Sequence, residues 1–212
     1  MTAWTSQLKL AANHLLANDA VLAPIIKAHG LCTIEPHSNY YHELVDSIIS
    51  QQLSIKAAAT IAGRFRDLFG GKFPSPEEIL TKDTEELRTV GLSRAKATYV
   101  RDLAQHIIDG ELDIENLPHL SNEEIIRELT AVKGIGEWTA HMFLMFSLGR
   151  LDVLAVGDLG IRNGVMRLYG LPTLPDASGV RAIALQNNWH PYETIACWYV
   201  WKSQDNAPLS AE

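Results

Sequence analysis

The sequence predicts an all-α protein, and three observations carry that expectation. Apolar residues recur at three- and four-residue spacing, as in Tyr41, Leu44, Val45, Ile48 and Ile49, and again in Val100, Leu103, Ala104, Ile107 and Ile108. Such spacing gathers them on one stripe of a helix. Breakers fall between these stretches, at Gly70-Gly71, Pro74, Pro76, Gly91, Gly110, Pro118, Gly149, Gly170, Pro172, Pro175 and Pro191. No run of alternating apolar and polar residues asks for a strand.

In chain order, the N-terminal MTAWTSQLKLAANHLLAND is mildly amphipathic, without the continuous apolar core and cleavage site of a signal peptide. The stripe through 41–49 runs into Gln51-Gln52-Leu53-Ser54, a polar corner before the next helical stretch. Helix starts are marked by Ser75 ahead of Pro76-Glu77-Glu78, by Ser93, and by Ser121 with Glu124 three residues on. A serine there accepts a hydrogen bond from an orphan amide of the first turn, and a glutamate three residues later returns the bond. Ile125, Ile126, Leu129 and Val132 form the stripe before Gly134-Ile135-Gly136; Ile135, Thr139, Met142, Phe143 and Phe146 form the one after it. Leu159, Ile161, Val165 and Leu168 follow Asp158, and an aromatic-rich helix is expected near 191–204. The sum is about ten short helices of ordinary length. A bipartite arrangement is expected: residues 36–120 as one lobe, residues 1–35 with 121–212 as the other. A groove between lobes is the natural place for a site.

A chain of 212 residues, 47% hydrophobic and 20% charged, has the composition of a soluble globular protein. No apolar run approaches the roughly 20 residues that span a bilayer, so a cytosolic location without membrane attachment is expected. Two cysteines, Cys32 and Cys197, cannot furnish a disulfide framework or a four-cysteine metal or iron–sulfur site. They read as buried apolar residues. The net charge of −7 runs against a generic nucleic-acid binder, but it is unevenly spread. Residues 77–128 hold thirteen of the 25 acidic residues, whereas between Leu129 and Gly170 Lys133, Arg150, Arg162 and Arg167 face only Glu137, Asp152 and Asp158. Global charge therefore does not decide the partner.

Four motifs carry chemistry, each beside a plainer explanation. The turn Lys133-Gly134-Ile135-Gly136 lets backbone approach a ligand and leaves amides at the next helix start, a geometry suited to phosphate; a plain glycine turn between packed helices fits it equally. Asp158 reads as an N-cap, and also as a carboxylate that faces developing positive charge or orients a water; capping does not use both oxygens. Gln51-Gln52-Leu53-Ser54 is a polar corner, or a place from which Gln52 or Leu53 fills the gap left by an extruded nucleotide. The aromatics Trp138, Tyr192, Trp198, Tyr199 and Trp201 are core residues at helical spacing, or a platform for stacking a planar, cationic base.

Taken together, LTAVKGIGEWTAHMF and the twenty-two residues from Gly136 to Asp158 resemble the helix-hairpin-helix DNA glycosylases. The similarity extends to SIISQQLSIKAA, VGLSRAKATYVRDLA and PYETIACWYVWKS, and points to the 3-methyladenine DNA glycosylase II branch over residues 36–203. The resemblance implies a two-lobed fold with the active site in the groove. It implies that Lys133, Gly134, Ile135 and Gly136 grip the DNA backbone and that Asp158 is catalytic. Trp138, Trp201 and Met142 would line the base pocket, with Gln52 as the wedge and Leu53 as its neighbouring candidate. Trp138 stands where bifunctional members carry a nucleophilic lysine, so a monofunctional enzyme without lyase activity is expected. No cofactor and no iron–sulfur cluster are implied; a Na⁺ or K⁺ held by hairpin carbonyls is. The expected partner is double-stranded DNA with alkylated bases, bound by a monomer, cytoplasmic and nucleoid-associated if bacterial.

The chain departs from the family pattern in places. Val156 precedes Gly157-Asp158, so the proline of the hallmark Gly-Pro-Asp is absent, and Glu193 replaces the usual arginine. Met142 occupies the position of a pocket tyrosine in the long bacterial member. The chain is too short for that member's extra N-terminal β domain. The function implied is hydrolysis of the N-glycosidic bond of purines alkylated at N3 or N7. A helix-hairpin-helix glycosylase for deaminated or oxidised bases is the nearest alternative. A non-catalytic DNA-damage-binding helical module is the alternative from another class.

Overall fold

A computed structural model describes residues 2–205. Met1 and residues 206–212, at the ends of the lobe expected to span 1–35 and 121–212, lie outside the described residues. Among the described residues there are twelve α-helices, a 3₁₀ turn, a π turn and no strand, so the fold is all-α. The helices outnumber the ten expected partly because residues 76–88 form two five-residue helices. Each has its own capping box, Ser75 with Glu78 and Asp83 with Glu86.

The chain divides into two compact units, Met1–Pro36 with Leu144–Glu212, and His37–Phe143. The first unit opens with α1 (Ala3–Asn18) and α2 (Ala23–His29). The second contains α3 (Tyr40–Ser50), α4 (Ile55–Leu68), α5 (Pro76–Leu80), α6 (Thr84–Arg88) and α7 (Arg94–Ile108). It continues with a 3₁₀ turn at Leu117–His119, α8 (Asn122–Ala131) and α9 (Glu137–Met142). A π turn, Phe143–Ser147, follows directly. The first unit is then completed by α10 (Leu159–Leu168), α11 (Ala177–Gln186) and α12 (Glu193–Asp205).

In the second unit α5 and α6 pack on α7, α3 packs on α4 and α7, and α8 on α9. The stripe Leu44, Val45, Ile48 and Ile49 of α3 is buried, as are Val100, Leu103 and Ala104 of α7, while Ile108 at the end of α7 stays exposed. Each large aliphatic side chain so buried contributes roughly 1.5–3 kcal/mol. The serines expected to start helices do so: Ser75, Ser93 and Ser121 each accept the amide three residues on. Ser54 does the same for α4.

In the first unit α12 packs on α10, α2 and α1. Its aromatics are largely core: Tyr199 is buried and donates to Gly30 O at 2.8 Å, and Trp198 is nearly buried. A carboxylate sits in this apolar interior. Asp19 is fully buried and accepts the Val21 and Leu22 amides at 2.9 Å and Trp189 Nε1 at 2.7 Å, with the Tyr169 hydroxyl as a fourth donor. Four donors make a buried charge tolerable. Cys32 and Cys197 are buried free thiols. Burial pushes their pKa values up to about 11 and about 12, which keeps both protonated and unreactive.

The boundary observed at Phe143/Leu144 lies later in the chain than the 120/121 division expected from sequence. The hairpin turn between α8 and α9 therefore shares a unit with α3 and α7, not with Asp158. Its ties explain why. Lys133 N–H and Nζ donate to the Asp102 carboxylate at 2.8 and 2.6 Å, and Gln51 Nε2 donates to Gly134 O at 2.8 Å.

Candidate functional site

Two groups of the expected site residues are assembled, one within each unit. The first lies in residues 37–143 around a cavity of about 850 Å³, lined among others by Gln51, Gln52, Lys96, Gly134, Trp138 and Met142. Helix α8 ends at Ala131, and the chain turns through Lys133-Gly134-Ile135-Gly136 before α9 begins at Glu137. Gly134 has φ +85°, a left-handed backbone that an L side chain resists. A Cβ there would stand 2.1 Å from the Tyr99 ring, so glycine is required by both conformation and space. Ile135 is buried at 3% exposure and anchors the turn. Lys133 projects outward, its side chain 68% exposed, with its ammonium paired to Asp102.

Trp138, two residues past the turn, is 50% exposed and lines the cavity. Met142 follows one helical turn later and lines the same cavity. Gln52 adopts φ 56°, a left-handed conformation that costs a non-glycine residue of order 1–3 kcal/mol and is met chiefly at functional sites. Leu53, beside it, is 37% exposed and does not figure among the cavity's lining residues.

The second group lies in the first unit. Asp158 caps α10: its Oδ1 accepts the Ile161 amide at 2.7 Å. The same oxygen accepts the Trp201 indole N–H at 2.9 Å. Asp158 is thus the N-cap that one of its two sequence readings expects, and its capping oxygen is also held by a neighbour. The Trp201 ring stacks on Phe146, with centroids 5.9 Å apart and planes at 28°. Small residues permit this approach. A Cβ on Gly160 would lie 2.9 Å from Asp158 Oδ1 and 3.1 Å from Trp201 Nε1, and one on Gly164 2.4 Å from Val200 Cγ1. Chemically, an ionised carboxylate at the N-terminus of a ten-residue helix can stabilise a cation or orient a water. Glu193 stands in place of the arginine of the resemblance; its Oε1 is 3.0 Å from His190 Nδ1, and its buried Oε2 makes no hydrogen bond.

Sequence reasoning missed a row on α7. Lys96 Nζ donates to Ile49 O at 2.8 Å and Gln51 O at 2.5 Å, Tyr99 underlies Gly134, and Asp102 receives Lys133. The signal was present in SRAKATYVRD, where Lys96, Tyr99 and Asp102 recur every three residues and therefore share a helix face. Sequence alone does not show what that face meets, because its partners on α3 and in the hairpin turn are distant in the chain. Among the described residues no group of three or more His, Cys, Asp or Glu side chains is placed to hold a metal ion. No helix there is long and apolar enough to cross a membrane.

Residues 45–190 match the family model described as HhH-GPD superfamily base excision DNA repair protein. The chain is 42% identical over 165 residues to DNA-3-methyladenine glycosylase 1 of Schizosaccharomyces pombe, spanning 77% of this chain and 72% of that one. It is similar to the crystal structure of a DNA-3-methyladenine glycosidase from Bacillus halodurans, with a TM-score of 0.82 and 41% identity over 92% of this chain and 89% of that one. The Schizosaccharomyces pombe 3-methyladenine DNA glycosylase Mag1, solved with abasic DNA, gives a TM-score of 0.78 and 38% identity over 93% of this chain and 97% of that one. With the glycine-turned hairpin, the capped aspartate and a match over most of its length, the chain belongs to the HhH-GPD superfamily of base excision DNA repair proteins.

Proposed function

We propose that this DNA glycosylase hydrolyses the N-glycosidic bond of alkylated purines in duplex DNA and has no lyase activity. The observation that carries the reading is the Asp158 carboxylate, held at the N-terminus of α10 and oriented by Trp201, in a chain 42% identical to a 3-methyladenine glycosylase.

Alkylation at N3 or N7 places positive charge on the base. When the bond from C1′ to the base nitrogen breaks, the electron pair passes to the base and neutralises it, so little acid catalysis of departure is needed. The cationic charge moves to the sugar, where Asp158 stabilises it and orients the water. That water adds to C1′ as its proton passes to the Asp158 carboxylate and on to solvent, leaving the free base and an abasic sugar. Trp138 offers a half-exposed indole against which the flipped base stacks, and Met142 lines the same cavity. Gln52 occupies the vacated space in the helix. The Gly134 and Gly136 region, with Lys133, holds the backbone through contacts independent of base sequence.

Position 138 carries no amine, and the Lys96 ammonium is engaged by two carbonyls. Both support hydrolysis without strand cleavage. The hairpin's neutral carbonyl oxygens suit a monovalent cation. Gly134 O already receives Gln51, and Gly136 O the Ala140 amide, so a cation would use second lone pairs of these oxygens and help hold a phosphate.

The test is incubation with methylated duplex DNA and identification of the bases released. Release of 3-methyladenine without alkali-independent nicking is expected. Asp158→Asn should lower that release by roughly a thousandfold while binding of the duplex persists, because asparagine still caps the helix. Near-normal turnover by Asp158→Asn sinks the assignment. Preferential release of hypoxanthine or an oxidised base reassigns the substrate, and binding without release reduces the protein to a damage-binding module.

A further inference from the structure

We infer that Lys96 is a positioning residue that holds the Gln51–Gln52 turn in the conformation needed for insertion into DNA, and that α7 aligns this turn with the hairpin. The inference rests on the proposed role of Gln52 as the wedge. Helix α3 ends at Ser50, and its last carbonyls have no amide of their own helix to accept from. The Lys96 ammonium, arriving from α7, donates to Ile49 O at 2.8 Å and to Gln51 O at 2.5 Å. A cation at a helix C-terminus is favourable in any case. What distinguishes this one is where the capped chain goes next.

The residue after Gln51 is Gln52, held at φ 56°, a conformation that persists only when its surroundings impose it. Lys96 fixes the carbonyl directly before it. Gln51 extends the constraint in the other direction, its Nε2 donating to Gly134 O at 2.8 Å inside the hairpin turn. Three residues along α7 from Lys96, the Tyr99 ring packs where a Gly134 Cβ would be; three further, Asp102 holds Lys133 N–H and Nζ. One face of one helix thus fixes both the turn that would enter the duplex and the turn that would grip its backbone. Removal from water lowers the Lys96 pKa from its ordinary value, as befits an ammonium turned inward to carbonyls. A wedge that must displace a stacked base gains from being rigid before contact, since ordering it on the DNA costs free energy.

The experiment uses the full chain and a duplex carrying 2-aminopurine opposite a tetrahydrofuran abasic site. Binding of the wild type should raise the fluorescence as the wedge unstacks the probe. Lys96→Met should lose most of that rise while its affinity for the duplex changes by less than about threefold, and should lower 3-methyladenine release roughly tenfold or more. Lys96→Arg, which keeps a cationic donor at the end of α3, should restore both. On a Gln52→Ala background Lys96→Met should add little, because its effect passes through Gln52; a merely structural lysine would act additively. Should Lys96→Met fail to fold, Gln51→Ala tests the same constraint from the hairpin side and should reduce the fluorescence rise likewise. A full rise in Lys96→Met, additive losses, or no rise from the wild type overturns the inference. Absence of base release by the wild type overturns instead the reading beneath it.

Discussion

The indole N–H of Trp201 and the amide N–H of Ile161 converge on one oxygen of Asp158, at 2.9 and 2.7 Å. Two donors from different helices define the carboxylate's rotation as well as its place. The residue expected to stack a base therefore also orients the residue expected to act on the sugar.

Trp201→Phe keeps a ring beside Phe146 and removes only the donor. Excision of 3-methyladenine should fall roughly tenfold in kcat, with KM nearly unchanged, as expected when an interaction matters mainly in the transition state. Gly160→Ala should act in the same direction, since its Cβ would lie 2.9 Å from Asp158 Oδ1. Steady-state kinetics decide it; a change confined to KM would assign Trp201 to base binding alone.

The two hairpin glycines should not respond alike. Gly134→Ala combines a φ of +85° with overlap on the Tyr99 ring and should cost roughly 2–4 kcal/mol. Gly136 has φ −95° and open space around its Cα, so Gly136→Ala should cost within about 1 kcal/mol. Urea unfolding midpoints measure both, and equal losses would contradict the geometry.

Acid should weaken the tie between Asp102 and the hairpin. Burial pulls the Asp102 carboxyl upward, but hydrogen bonds from Lys133 Nζ and N–H and the charges of Lys133 and His106 outweigh it and hold the pKa below its ordinary value. A depressed folded pKa contributes stability above the unfolded value, near 3.9, and loses it as pH falls through the folded one. The melting-temperature gap between wild type and Asp102→Asn should be present well above the unfolded pKa and narrow as pH falls below about 4. A gap that persists unchanged to pH 3 would count against it.

Asp19→Ala should be among the most damaging changes in the first unit. It strands the Val21 and Leu22 amides, the Trp189 indole and the Tyr169 hydroxyl in an apolar interior, and should cost roughly 3–5 kcal/mol. Asp19→Asn retains one acceptor oxygen and should cost less. Thermal unfolding of the two variants provides the comparison, and an Asp19→Ala protein as stable as the wild type would refute it.

By itself the sequence determined the helical class, the caps at Ser75, Ser93 and Ser121, the glycine turn and the aspartate at a helix start. Each depends on short-range physics: a 3.6-residue period, an orphan amide three residues away, a backbone angle only glycine accepts. The chain's kinship was legible for a related reason, since the hairpin and Asp158 lie twenty-two residues apart in one continuous stretch of sequence. Tertiary structure decided the rest. That Lys96 reaches the end of α3, that Trp201 reaches Asp158 forty-three residues away, and that residues 121–143 belong with α3 and α7 all depend on which helices pack together. A lysine, a tyrosine and an aspartate spaced by three look the same in sequence whether their helix face meets water or two functional turns. Burial tells them apart, and burial is a property of the assembled fold.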